Sequence, residues 1–196
     1  MKVNLSNVWS DQTEEIIEQV NIAIKNMDGF LNKGIINSVF EDMGKVCYFW
    51  TGKTYVGEKK DKEIEKVFQD FFKTFMEILL KAKSGELNCP DECKNILADL
   101  LYQGKIYRKL GSSNPTRKNE KIIPEYNDIY VSWSKNKENT YLDSKLYGTK
   151  TLITANIKNN YYGRDLEMFG CSAGEEREVV FPTIKECVTK IEYIDE

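Results

Sequence analysis

The chain has 196 residues, 41% hydrophobic and 30% charged, and its 28 basic and 31 acidic side chains leave a net charge of −3. That length suits one substantial core rather than two ordinary domains, and the near-balance of charge argues against a general polyanion-coating role and a strongly acidic partner. Histidine is absent, which excludes Ser-His-Asp and Cys-His mechanisms and His-based zinc hydrolase sites.

The opening segment MKVNLSNVWSDQTEE has no apolar signal core, and no run of about eighteen apolar residues occurs anywhere in the chain. The expectation is a soluble, cytoplasmic chain with no export signal and no membrane partner. Asp11 and Glu14 have capping-box spacing, and Ile16, Ile17, Val20, Ile24 and Met27 follow on one helical face. Gly52-Lys53-Thr54 lacks the glycine five positions earlier that a phosphate loop needs, since Cys47 stands there, so Thr51 to Gly57 reads as a turn.

From Asp61 to Lys83 a wide stripe of Ile64, Val67, Phe68, Phe71, Phe72, Phe75, Met76, Leu79 and Leu80 predicts a helix central to the core. Cys89 and Cys93 flank Pro90, and a third helix starts there and runs through Ile96, Leu97, Leu100 and Leu101 towards Gly104. Five cysteines, an odd number, fit reduced thiols, and no metal site is expected.

After Gly104 the period changes. Short β-branched and aromatic runs at 105–110, 128–134, 150–158, 177–184 and 187–194 predict strands, with a short helix from Tyr141 to Tyr147 between the second and third. No repeat or linker separates the halves. The reading is one α+β domain over 1–196, mainly helical to residue 103 and mainly β from 104.

Three segments of the β half carry unusual polar residues. Ile106-Tyr107-Arg108-Lys109-Leu110 offers a guanidinium, which can make paired bonds to phosphate oxygens. In Tyr130-Val131-Ser132-Trp133-Ser134 the two serines share one side of a strand and Trp133 takes the other. In Gly174-Glu175-Glu176-Arg177-Glu178-Val179-Val180-Phe181-Pro182 two carboxylates stand two residues apart at the start of an apolar strand. Read alone, each has a plainer meaning, namely an exposed strand arginine, a polar strand face and a solvated strand end.

In that order the three segments resemble the Arg-Ser-Glu class of mono-ADP-ribosyltransferases, the clostridial and phage type. The match covers about residues 104–184. The lack of histidine excludes the His-Tyr-Glu branch. The resemblance implies the ADP-ribosyltransferase fold, a helical part packed on two facing antiparallel sheets around a cleft for NAD, which serves as co-substrate without a metal. It implies that Tyr107 and Arg108 bind the dinucleotide, with Arg117 in reserve because the gap to Ser132 is short. Ser132 would orient the catalytic glutamate, and Ser134 would lie beside the cofactor. Trp133 stands where the family has threonine. Glu178 would stabilise the ribosyl cation, and Glu176 would engage an acceptor arginine. Phe169, at the start of Phe169-Gly170-Cys171-Ser172-Ala173-Gly174-Glu175, would match the aromatic of the target-recognition loop.

The implied activity is transfer of ADP-ribose from NAD to a protein arginine by a bacterial or phage effector, a setting that leaves room for an antitoxin or chaperone partner. Three alternatives stay open. Lys105, Lys109, Arg117, Lys118 and Lys121 could serve a nucleic-acid acceptor, as in a toxin-antitoxin or antiphage system. Water could be the acceptor, giving an NAD glycohydrolase. The chain could also be a non-catalytic interaction module.

Overall fold

The computed structural model describes residues 5–34, 39–52, 62–112, 122–138, 147–169 and 177–194. The chain is α+β, with four α-helices followed by seven strands among the described residues. It divides into two compact units, Met1–Asp99 and Leu100–Glu196. Among the described residues no helix is long and apolar enough to cross a membrane.

The first unit holds α1 (Leu5–Lys33), α2 (Val39–Gly52), α3 (Lys62–Ser84) and α4 (Asp91–Asp99). Helix α1 starts upstream of Asp11, which is therefore an interior residue rather than a cap, while Ile16, Val20 and Met27 are buried as the periodicity predicts. At its end Gly34 takes a left-handed φ of 65°, and a Cβ there would stand 2.7 Å from the Asn88 carbonyl oxygen, so glycine alone fits.

Helix α2 lies in the part read as mainly helical, although the sequence marks no separate helix there and predicts a turn from Thr51. Thr51 and Gly52 are its last residues, and the remainder of that turn lies outside the described residues. Asn26 Nδ2 donates to Asp42 Oδ2 at 2.7 Å and ties α2 to α1. The Trp50 ring on α2 lies edge-on to Phe72 at 4.9 Å and to Phe68 at 5.4 Å, both on α3.

Helix α3 buries Ile64, Val67, Phe68, Phe71, Phe72, Phe75, Ile78 and Leu79. Its stripe is narrower than the sequence suggests, for Leu80 is 41% exposed. Acidic Glu63 and Glu65 open the helix and Lys81 and Lys83 close it, the charge order its dipole favours. Helix α4 ends at Asp99, and Leu101, expected in that helix, opens the first strand. Burial, with a hydrogen bond to Cys89, pushes the Cys93 thiol up to about 11, so it is protonated at neutral pH.

The second unit holds β1 (Leu101–Tyr102), β2 (Gly104–Ser112), β3 (Asn127–Ser134), β4 (Tyr147–Ile157), β5 (Gly163–Asp165), β6 (Glu178–Thr183) and β7 (Val188–Ile194). The five predicted strands are present within a few residues of their expected ends. The short β1 and β5 are additional. Tyr147 begins β4 rather than ending a helix, and 141–146 lie outside the described residues.

Among the described residues all pairings are antiparallel, in the order β1-β5-β6-β3-β2-β4-β7. This is one hydrogen-bonded sheet where two facing sheets are expected. Its seam is narrow: among the described residues β2 and β3 share only the pair Tyr107↔Ser134, whereas β2 follows β4 along most of its length. One pair is enough to join a four-strand half to a three-strand half while leaving the strands free to part beyond it.

The core of this unit lies on one face, where Ile106, Trp133, Ile153, Val179 and Phe181 pack together. Trp133 is 2% exposed, and its indole Nε1 donates to the Phe181 carbonyl at 2.9 Å, linking β3 to β6. An apolar anchor suits this position because strand alternation turns it away from the face carrying Ser132 and Ser134.

Candidate active site

Strand β6 lies beside β3 in the register Ser134↔Glu178, Trp133↔Val179 and Ser132↔Val180. Paired residues project to the same side, so Ser132, Ser134, Glu178 and Val180 share the face opposite the core. Tyr107 joins them through its pairing with Ser134, giving a row Tyr107, Ser134, Glu178 across the seam.

Ser132 Oγ donates to Glu178 Oε1. The carboxylate belongs to a residue only 5% exposed, whereas Ser132 is exposed. A hydroxyl at the surface therefore fixes the orientation of a largely buried carboxylate. Ser134 serves its own turn: its Oγ donates to the Asn136 carbonyl at 2.8 Å and accepts from the Asn136 N–H at 2.9 Å.

Arg108 lies one residue along β2 from this row. Alternation places its side chain with Ile106 and Leu110, on the other face from Ser132 and Glu178. The structure thus brings Ser132, Glu178, Ser134 and Tyr107 to one face and leaves Arg108 beside them but turned away. Arg108 is partly buried and has no hydrogen bond or ion pair among the described residues. Burial pulls its guanidinium down to about 10, still cationic at neutral pH. Such a group gains from binding an anion.

The start of β6 is shaped by Arg177, which takes a left-handed φ of 46°. Side-sharing between residues two apart holds within a strand, and β6 begins only at Glu178, so that rule does not extend across Arg177 to Glu176. Glu176 lies outside the described residues, as do Arg117, Lys118, Lys121 and the rest of 170–176. Phe169 ends the 3₁₀ turn Glu167–Phe169 and is half-buried.

Lys135 locks the same corner. Its backbone N–H donates to the Arg177 carbonyl at 3.2 Å, and its Nζ reaches Asp165 Oδ2 at 2.7 Å and Glu167 Oε2 at 2.6 Å. Burial disfavours the ammonium, but the hydrogen bonds to Asp165 and Glu167 prevail and raise its pKa. Its bond to Lys135 in turn lowers that of Glu167.

Glu167 stabilises the fold above the ordinary carboxylate range and loses that effect as pH falls through its depressed value. Lys135 stabilises it below the ordinary lysine range and loses that effect as pH rises through its raised value. Lys135→Met is therefore expected to lower the urea midpoint between about pH 5 and pH 10, with the gap to wild type closing on both sides of that window.

One residue on the Glu178 face is not foreseen from the sequence. Arg164 on β5 pairs with Val180, is 0% exposed, and holds its guanidinium carbon 4.0 Å from the centre of the Tyr130 ring. At three residues, Gly163-Arg164-Asp165 is too short to display a period in the sequence. Gly163 permits this strand to lie so close, because a Cβ there would stand 2.5 Å from Val179 Cγ1 and 2.9 Å from Ile157 Cδ1. Gly163→Ala is expected to destabilise the fold by about 1–3 kcal/mol in urea unfolding, since the stiff Val179 side chain has no room to yield.

No family model, no curated protein and no solved structure matches this chain.

Proposed function

We propose that the chain is a mono-ADP-ribosyltransferase of the Arg-Ser-Glu type, with the corresponding fold, acting within cells as a bacterial or phage effector on an arginine of a target protein. The observation that carries this reading is the hydrogen bond from Ser132 to Glu178. It is the contact the chemistry asks of these two residues. The placement of the arginine, serine and glutamate strands side by side, as β2, β3 and β6 at the centre of the sheet, supports it.

Nicotinamide leaves NAD when the bond between ribose C1′ and the pyridinium nitrogen breaks, the electron pair going to nitrogen and positive charge developing on the ribose. A fixed carboxylate beside C1′ stabilises that charge, and its geometry is set before the reaction begins. Glu178 takes this role and Ser132 holds it in place. Arg108 is cationic and without a counter-ion among the described residues, but its side chain is turned to the other face of the sheet, so the reading rests on Glu178 and Ser132 and assigns Arg108 no contact with the NAD held beside them. The acceptor nitrogen then forms the new bond to C1′ and gives up its proton, for which Glu176 is the assigned acceptor.

A second reading has its own support. On β2 the side chains of Lys105, Tyr107 and Lys109 alternate onto one face, the face of Ser134 and Glu178. A cation-aromatic-cation stripe beside the carboxylate suits a nucleic-acid acceptor.

Incubation of the purified protein with adenine-labelled NAD and a bacterial lysate separates the two. Label that survives nuclease and is lost with protease supports the protein acceptor, and mass spectrometry then identifies the modified atom. Label lost with nuclease supports the second reading. Intact NAD after prolonged incubation contradicts both.

A further inference from the structure

We infer that Arg164 is the positioning residue of the Glu178 carboxylate, a buried counter-charge that holds it ionised and aimed. The placement of Arg164 diagonally across from Glu178 stands on the strand register alone, whereas its catalytic consequence rests on the ribosyl-transfer reading above. Arg164 and Ser132 pair with the same residue, Val180, from opposite sides, and Glu178 is two positions before Val180 on the same face. Diagonal neighbours of this kind lie about 7–8 Å apart, with their Cβ atoms somewhat closer, a gap that an arginine side chain spans.

A fully buried guanidinium requires compensation of its charge. The Tyr130 ring covers one face of it. From the elements around Arg164, the groups directed to its side are Leu101 of β1, Tyr130, Ser132 and Ser134 of β3, and Glu178 and Val180 of β6. Glu178 is the one carboxylate among these described residues. Asp165 alternates to the opposite face, where it is bonded to Lys135 together with Glu167. Ser132 and Arg164 thus approach Glu178 from neighbouring strands on either side of β6, one as a hydroxyl donor at the surface and the other as a charge in the interior.

The test is the titration of the Glu178 side-chain carboxyl carbon by NMR in the wild type, Arg164→Lys and Arg164→Met, with circular dichroism establishing that each is folded. The expected result is a midpoint about one to three pH units higher in Arg164→Met, largely restored in Arg164→Lys. Coincident wild-type and Arg164→Met curves would overturn the inference.

Should Arg164→Met not fold, the Nε–H resonance of Arg164 is compared between wild type and Glu178→Gln. A changed resonance supports the contact and an unchanged one refutes it. Nicotinamide release from NAD in the same samples keeps the two ideas apart. Shifted titration without any wild-type release leaves the contact standing and removes the enzymatic reading, while release with coincident titrations does the reverse.

Discussion

Glu178→Gln is expected to lower turnover of NAD by about a hundredfold or more while leaving the dissociation constant for NAD within a few-fold of wild type. The amide keeps the size of the side chain and an oxygen that accepts the Ser132 hydroxyl, so the local hydrogen bond survives. What is lost is the negative charge, which NAD feels most when the ribose carries its developing positive charge and least in the ground-state complex, while the loss of the counter-charge to Arg164 lowers the stability of the fold. Single-turnover measurement of nicotinamide release, alongside equilibrium binding, separates the two effects. Equal loss in binding and turnover would mean that Glu178 serves the resting complex rather than the bond-breaking step.

Trp133→Ala is expected to cost about 3–5 kcal/mol of stability, read as a lowered urea midpoint at unchanged slope. The indole fills the core between β3 and β6 and also donates to the Phe181 carbonyl, so truncation leaves both a cavity and a carbonyl that has lost its donor. Trp133→Phe keeps most of the volume and loses the donor, and a smaller loss is expected there. In the ribosyl-transfer reading this residue takes the place of a hydroxyl-bearing one, and its orientation explains why the exchange is compatible with the site. The middle position faces the core.

What could be read from the sequence follows from periodicity. Ser132 and Ser134 alternate against Val131 and Trp133, and the structure keeps that division to the residue: hydroxyls on one side, apolar contacts on the other. The helical stripe of α3 was visible for the same reason, although Leu80, at the border of the stripe, is turned to solvent.

Helix α2 was hidden because Val46-Cys47-Tyr48-Phe49-Trp50 is rich in residues with weak helix propensity, and tertiary packing of Trp50 on Phe68 and Phe72 overrides that preference. Strand β5 was hidden because three residues carry no period. The facing of Arg108 was beyond reach as well, since it depends on which residue of β2 meets Ser134, and a shift of one would have exchanged Arg108 for Tyr107.

The central claim is most directly tested by mixing the purified chain with NAD alone, at enzyme concentrations near those of the substrate, and following free nicotinamide over time in the wild type and Glu178→Gln. Release by the wild type, reduced about a hundredfold or more in the variant, is the predicted result. Identical traces for the two proteins, or NAD left intact by both, would contradict it.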